Sequence, residues 1–167
     1  LDEKLKLFSQ CGTIFFCADQ PEIKSTLSSM YSGKKLVSWG IGNANNYLQV
    51  LRANNTGNIK QVEILVNGQN LTFDIPFTDN ASFENAMHAI TFLLYNGIDA
   101  NHIAQRLKGL KPVAMRMEQK EGINNCLIIN DTYNSDITSL EVSLDFMNQQ
   151  ARQNDMPRTV ILSDIFQ

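Results

Sequence analysis

The sequence predicts an α/β fold in two parts: a mixed unit carrying an antiparallel hairpin patch, then the opening of a second, Rossmann-like α/β unit. Three observations predict it. Two short runs rich in β-formers, Thr13-Ile14-Phe15-Phe16-Cys17 and Leu36-Val37-Ser38-Trp39, flank a segment of helical periodicity. That is the strand–helix–strand order of a parallel sheet. Val62, Ile64 and Val66 alternate before Asn67-Gly68, and Leu71, Phe73 and Ile75 alternate after it, which is the strongest short-range hairpin signal. Gly109-Leu110-Lys111-Pro112 then breaks a helical pattern, setting a boundary between residues 1–111 and 112–167.

The elements follow in order. After the strand at 13–17, Pro21 suits the first turn of a helix over 22–31, with Ile23, Leu27 and Met30 on one face. Gly33 stops it, and the strand at 36–39 closes on Gly40-Ile41-Gly42. A strand at 47–51 leads into an Asn/Gly-rich turn, and the hairpin follows. Phe83, Ala86, Met87, Ile90, Leu93 and Leu94 recur at helical spacing over 82–96, with Gly97 where a C-terminal cap belongs. A shorter helix is expected over 101–107. Beyond Pro112, strands at 113–119 and 125–130 surround a turn at Gly122. The polar loop 131–136 follows, then a helix over 137–152 with Leu140, Leu144 and Met147 inward, and a buried strand at 158–162.

A length of 167 residues permits one ordinary domain or parts of two, and 43% hydrophobic with 19% charged residues is a globular balance. A net charge of −3 argues against a nucleic-acid partner, which would want a basic surface. No run approaches the roughly 20 apolar residues of a membrane span. The start, Leu1-Asp2-Glu3-Lys4, has no initiator Met and no signal pattern, which suggests a cut inside a longer protein. Three cysteines form no CxxC pair, so a reducing cytoplasm is the expected compartment. Three Asn-x-Ser/Thr matches, at Asn54, Asn70 and Asn80, are taken as chance matches in an Asn-rich chain, since no signal peptide accompanies them.

Three residues stand out chemically, each beside a plainer explanation. Asp131 opens a helix at the carboxyl end of a buried strand. A carboxylate there can accept hydrogen bonds from ribose hydroxyls, or it can cap the helix. Arg116, in the first strand after the boundary, can hold a phosphate by charge-assisted bonds, or simply alternate on a surface strand. Asn85, one residue before the apolar Ala86, offers the donor and acceptor that suit an adenine edge, or is a solvated helix residue. His88 and His102 are single histidines on helices, read as core or surface residues. No metal ligand is assigned.

Together these residues resemble a family. Asn85-Ala86-Met87-His88-Ala89 at the head of a helix resembles the N-x-x-A-A pattern of the Mur ligases. Pro112-Val113-Ala114-Met115-Arg116-Met117-Glu118 resembles the segment that opens their C-terminal domain. Fifteen residues after Arg116, Ile128-Ile129-Asn130-Asp131-Thr132-Tyr133-Asn134 resembles that domain's nucleotide loop. Its Tyr133-Asn134 form points to the branch that adds D-alanyl-D-alanine. The resemblance implies that residues 1–111 are the C-terminal part of a central ATPase domain. Residues 112–167 would be the N-terminal part of the C-terminal domain. It implies Asn85 at the adenine edge, Arg116 at the phosphates and Asp131 at the ribose, with Tyr133 and Asn134 in the same loop. ATP and magnesium are the implied cofactors, and a UDP-N-acetylmuramoyl peptide and D-alanyl-D-alanine the implied substrates, in cytoplasmic peptidoglycan precursor synthesis. The muramoyl peptide's carboxylate attacks the γ-phosphate, and the amine of D-alanyl-D-alanine then displaces phosphate from the acyl phosphate.

The chain departs from the family where His-Asn would stand, at Ala81 and Ser82, and where the loop's Pro would stand, at Ile137. Family members joined to an alanine racemase drift similarly, so the resemblance allows such a fusion in the parent. No segment matches G-x-x-G-K-[ST]. Without that phosphate cradle, positioning for phosphoryl transfer is missing, so no catalytic residue is assigned and the chain by itself is expected to be inactive. The competing readings are a ligase that polyglutamates folate, and a non-catalytic α/β interaction module.

Overall fold

Two strands that were expected to be parallel begin the sheet. A computed structural model of the chain describes residues 2–111, 117–133, 137–154 and 157–162. After α1 (Asp2–Leu5) and a 3-10 turn at Lys6–Gln10, β1 (Thr13–Cys17) pairs in parallel with β2 (Lys35–Ile41). α2 (Pro21–Met30) joins them, with its Pro in the first turn. β2 is parallel to β3 (Leu48–Thr56), and β4 (Ile59–Val66) and β5 (Gln69–Ile75) continue the sheet antiparallel in the order β1-β2-β3-β4-β5. α3 (Asn80–Tyr95) and α4 (Ala100–Leu107) follow. The chain divides into two compact units, Leu1–Leu110 and Lys111–Gln167.

Side-chain alternation decides what each face of the sheet meets. On β1, Ile14 and Phe16 pack with Leu27 and Tyr31 of the α2 side and with Leu5. Cys17 points the other way, with Trp39, Val50, Val62, Ile64, Phe73 and Ile75, against Phe83, Met87 and Ile90 of α3 and Ile103 and Leu107 of α4. Helices therefore cover both faces near β1, as burial of apolar strands on two sides requires. Each fully buried side chain of this size contributes on the order of 2 kcal/mol. Tyr31 donates to the Leu5 carbonyl at 2.5 Å, and Lys34 Nζ donates to the carbonyls of Ser9 at 2.7 Å and Cys11 at 2.5 Å, fastening α1 and the 3-10 turn to the rest of the unit.

Both residues of the Asn67-Gly68 turn have positive φ, 50° and 77°, which matches the twist of the flanking strands. β3 runs further than expected, through Asn54 and Asn55 to Thr56, because its far half is held by pairing with β4 rather than by burial. Met30 of α2 lies 41% exposed, so Leu27, with Ile23 partly buried beside it, carries that helix's packing.

In the second unit β6 (Glu118–Glu121) and β7 (Leu127–Asn130) form an antiparallel pair across a 3-10 turn at Ile123–Asn125, and α5 (Ile137–Asn154) follows. The earlier part of the strand expected at 113–119 lies outside the described residues. Along α5 it is Phe146 that is buried, while Leu140, Leu144 and Met147 are only half-covered. The strand expected at 158–162 is not formed. Its described residues pair with no strand, and Val160, Ile161 and Leu162 are 46%, 94% and 59% exposed. A central parallel strand needs neighbours on both edges to satisfy its backbone, and apolar content alone does not supply them.

Candidate functional site

The head of α3 meets the carboxyl ends of β1 and β2, the edge where open α/β sheets take ligands. Asp79 caps the helix, its carboxylate accepting from the Ser82 N–H at 2.7 Å. One turn on, Glu84 Oε1 accepts from Gln20 Nε2 at 2.7 Å, tying the helix to the end of β1. Trp39 of β2 meets Phe83 and His88 of α3 edge to face, with centroids 6.0 and 5.4 Å apart. Asn85 follows Glu84 on the exposed side of the helix, while the next two residues, Ala86 and Met87, are buried. Its amide therefore faces solvent on a helix fixed by its neighbours.

Beneath that helix head the strand ends hold a small polar group. Asp19 Oδ2 accepts from the Ile41 N–H at 2.8 Å, and Ser38 donates to Asn46 Oδ1 at 3.0 Å. A Cβ on Gly40 would stand 2.6 Å from both Asp19 Oδ1 and Asn46 Nδ2, so the absence of a side chain there lets both polar groups close in. Asn46 Nδ2 and Trp39 Nε1 are buried with no hydrogen-bond partner among the described residues. Burial pushes the Cys17 thiol above its ordinary range; the nearby Asp19 backbone opposes this, and the charges of Asp19 and Glu84 reinforce it. Such a thiol is a poor nucleophile.

In the second unit Asp131 leaves the end of β7 half-buried. Its Oδ1 accepts from the Met117 N–H at 3.1 Å, and its Oδ2 accepts from the Ser143 hydroxyl of α5. These bonds join the start of β6 to the second turn of α5 and are not those of a helix cap. An ionised carboxylate has about four acceptor sites, and among the described residues these two donors leave two of them open. Thr132 donates to Asn130 Oδ1 at 2.9 Å, and Tyr133 on the same loop is 56% exposed. Arg116 and Asn134 lie outside the described residues. Asp131 and Tyr133 thus share one loop, and Asn85 belongs to the other unit. Among the described residues no three His, Cys, Asp or Glu side chains cluster as a metal ion would need.

Two polar features escaped the sequence. Ser143 could have been found by counting helical turns from the Asp131 loop. Lys60 could have been found by extending the alternation of Val62, Ile64 and Val66 backwards by one step. It is 7% exposed, and burial lowers its pKa from the ordinary 10.5, with Asp79 opposing the shift.

No family model matches the chain. It is 30% identical over 134 residues to the UDP-N-acetylmuramoyl-tripeptide–D-alanyl-D-alanine ligase of Bacillus subtilis (strain 168), an alignment covering 80% of this chain and 27% of that protein. The chain therefore spans about a quarter of the curated relative. Its fold is similar to MurF from Acinetobacter baumannii, with a TM-score of 0.69 at 17% identity over 84% of this chain and 30% of the other. It is also similar to the MurF ligase from Thermotoga maritima in complex with ADP, with a TM-score of 0.59 at 15% identity over 80% and 30%.

Proposed function

We propose that this chain, a stretch of Mur ligase sequence, comes from the D-alanyl-D-alanine-adding type and holds one side of the nucleotide site of an ATP-dependent amide ligase of peptidoglycan precursor synthesis. The observation that carries this is the match along four-fifths of the chain to a ligase that adds D-alanyl-D-alanine. In the proposed parent, residues 1–111 complete the central ATPase domain and 112–167 open the C-terminal domain. Asn85 offers its amide to the adenine edge, Arg116 holds the phosphates, and Asp131 accepts the ribose hydroxyls on the lone pairs that Met117 and Ser143 leave free. Tyr133 and Asn134 complete that loop.

The proposed substrates are a UDP-N-acetylmuramoyl peptide and D-alanyl-D-alanine. The peptide carboxylate attacks the γ-phosphate of ATP, ADP leaves, and the resulting acyl phosphate is attacked by the dipeptide amine with loss of phosphate. Magnesium would neutralise phosphate charge in that chemistry. Among the described residues no three His, Cys, Asp or Glu side chains cluster, so no magnesium ligand is assigned to this stretch. The chain also carries no G-x-x-G-K-[ST] loop to position the phosphates, so this stretch by itself turns over nothing. No described helix is long and apolar enough to cross a membrane.

ATP titration separates the nucleotide role of Asp131 from its structural one. Asp131→Asn keeps the shape and removes the charge that ribose hydroxyls would meet. It should weaken ATP binding by about tenfold, the scale of a lost charged hydrogen bond. Ser143→Ala removes the structural bond and should leave affinity within about twofold. Equal losses in the two variants, or ATP- and D-alanyl-D-alanine-dependent phosphate release by the chain alone, would contradict the proposal.

A further inference from the structure

Lys60 occupies a place that the alternation of β4 gives to apolar side chains. Val62, Ile64 and Val66 on the same face are buried, and Lys60 is buried with them. Its Nζ donates to Asn80 Oδ1 at 3.3 Å and stands 4.8 Å from the centroid of the Phe83 ring. Both partners belong to the first turn of α3, directly before the turn that carries Asn85. A buried ammonium is costly unless it is paired, and among the described residues no carboxylate stands within ion-pair distance of Lys60. The side chain therefore spends its charge on one amide oxygen and one aromatic face.

We propose that Lys60 is a positioning residue for Asn85: its ammonium grips Asn80 and the Phe83 ring, and so sets how the next turn of α3 presents the Asn85 amide to a nucleotide. This rests on Asn85 as the adenine contact. The grip is sensitive to alkaline pH. Burial favours the neutral amine, while the charge of Asp79 at the helix cap favours the ammonium. The other facing groups are uncharged: Asn80 and Phe83 from α3, Ile75 across from β5 and Asn55 across from β3. A neutral amine can keep the hydrogen bond to Asn80 but loses the attraction to the ring, so the first turn is held less firmly once the proton leaves.

Trp39 reports on the same helix head, because it is the single tryptophan and meets Phe83 and His88 edge to face. The experiment follows Trp39 emission from about pH 8 to about pH 10.5, a range that spans lysine deprotonation. It compares this chain with its Lys60→Met, Lys60→Arg and Asn85→Ala variants, and measures ATP affinity alongside. Lys60→Met keeps every tyrosine and so subtracts their titration. We expect a step in the wild type that is absent from Lys60→Met and from Lys60→Arg, whose guanidinium stays charged. ATP affinity should fall about fivefold in Lys60→Met, the scale of one lost polar contact, and stay within about twofold in Lys60→Arg. A wild-type emission profile in Lys60→Met would overturn the proposal. Unchanged ATP affinity in Asn85→Ala would remove the adenine contact instead, and the emission profiles would still decide whether Lys60 holds the helix head.

Discussion

At Gly40 one added carbon would collide with two polar side chains at once. The Cβ of an alanine would sit 2.6 Å from Asp19 Oδ1 and from Asn46 Nδ2, closer than non-bonded atoms tolerate. Both are ends of side chains, so they can move, but each movement breaks something. Asp19 would release the Ile41 N–H, or Asn46 would release Ser38. Gly40→Ala should therefore cost about 1–2 kcal/mol, the scale of one exchanged hydrogen bond plus local strain. In an Asp19→Ala background one of the two collisions is gone, so the second substitution should cost measurably less than in the wild type. A thermodynamic cycle of the two variants by urea unfolding reads that coupling. Strict additivity would mean that Asp19 is not what Gly40 makes room for. None of this was legible in the sequence, where Gly40-Ile41-Gly42 shows only as the end of an apolar strand. Asp19 and Asn46 reach Gly40 through the parallel pairing of β1 with β2 and the loop after β2, and pattern along the chain carries no such distances.

α3 is the element on which the proposed nucleotide contact depends, and its first turn is held by its cap. Asp79 accepts from the Ser82 N–H at 2.7 Å, and loss of a cap of this kind costs about 1 kcal/mol. Asp79→Ala should lower the unfolding free energy by about that much, whereas Asp79→Asn should restore most of it by offering the same acceptor. Equal instability of both variants in thermal melts would assign the effect to lost charge rather than to the cap. The helix itself was legible because its apolar residues recur at helical spacing and Gly97 ends it, with φ of 77°. The hairpin was legible for a similar reason, since Asn67-Gly68 has the φ values its turn requires. The segment at 158–162 was not. Arg158-Thr159-Val160-Ile161-Leu162 has the composition of a buried strand, yet a strand is made by the edges it pairs with, and those lie in other segments. The expected site divides the same way. Asn85 and Asp131 are candidates taken from sequence pattern and resemblance and remain proposals, while the bonds of Asp131 to Met117 and Ser143 depend on how β6, β7 and α5 fold back on one another.

At the scale of the whole chain, the two compact units differ sharply in how much apolar surface their described residues bury. The first joins a five-stranded sheet to helices on both faces around Trp39, Leu48, Val62, Ile64, Phe73, Met87 and Ile90. In the second, Phe146 is the buried apolar side chain among the described residues, and Ile123, Ile128, Ile137, Val160, Ile161 and Leu162 are exposed. Hydrophobic burial is the main favourable term in folding, while the entropy lost per ordered residue is similar in both units. The second unit therefore has far less to set against that loss, and its local opening should require less free energy than that of the first. Amide hydrogen exchange followed by mass spectrometry should show slow exchange in β2, β4 and α3, and exchange at least about tenfold faster in β6, β7 and α5, which corresponds to about 1.4 kcal/mol. Equal protection of the two units would mean that something beyond the apolar burial seen in residues 117–133 and 137–154 stabilises the second. The same difference bears on the proposed ATP contacts. Asn85 stands on the well-packed unit, and Asp131 on the loosely packed one. If nucleotide binds at Asp131, ATP should slow exchange in β7 and α5, because any opening that releases the ligand becomes costlier by the free energy of binding.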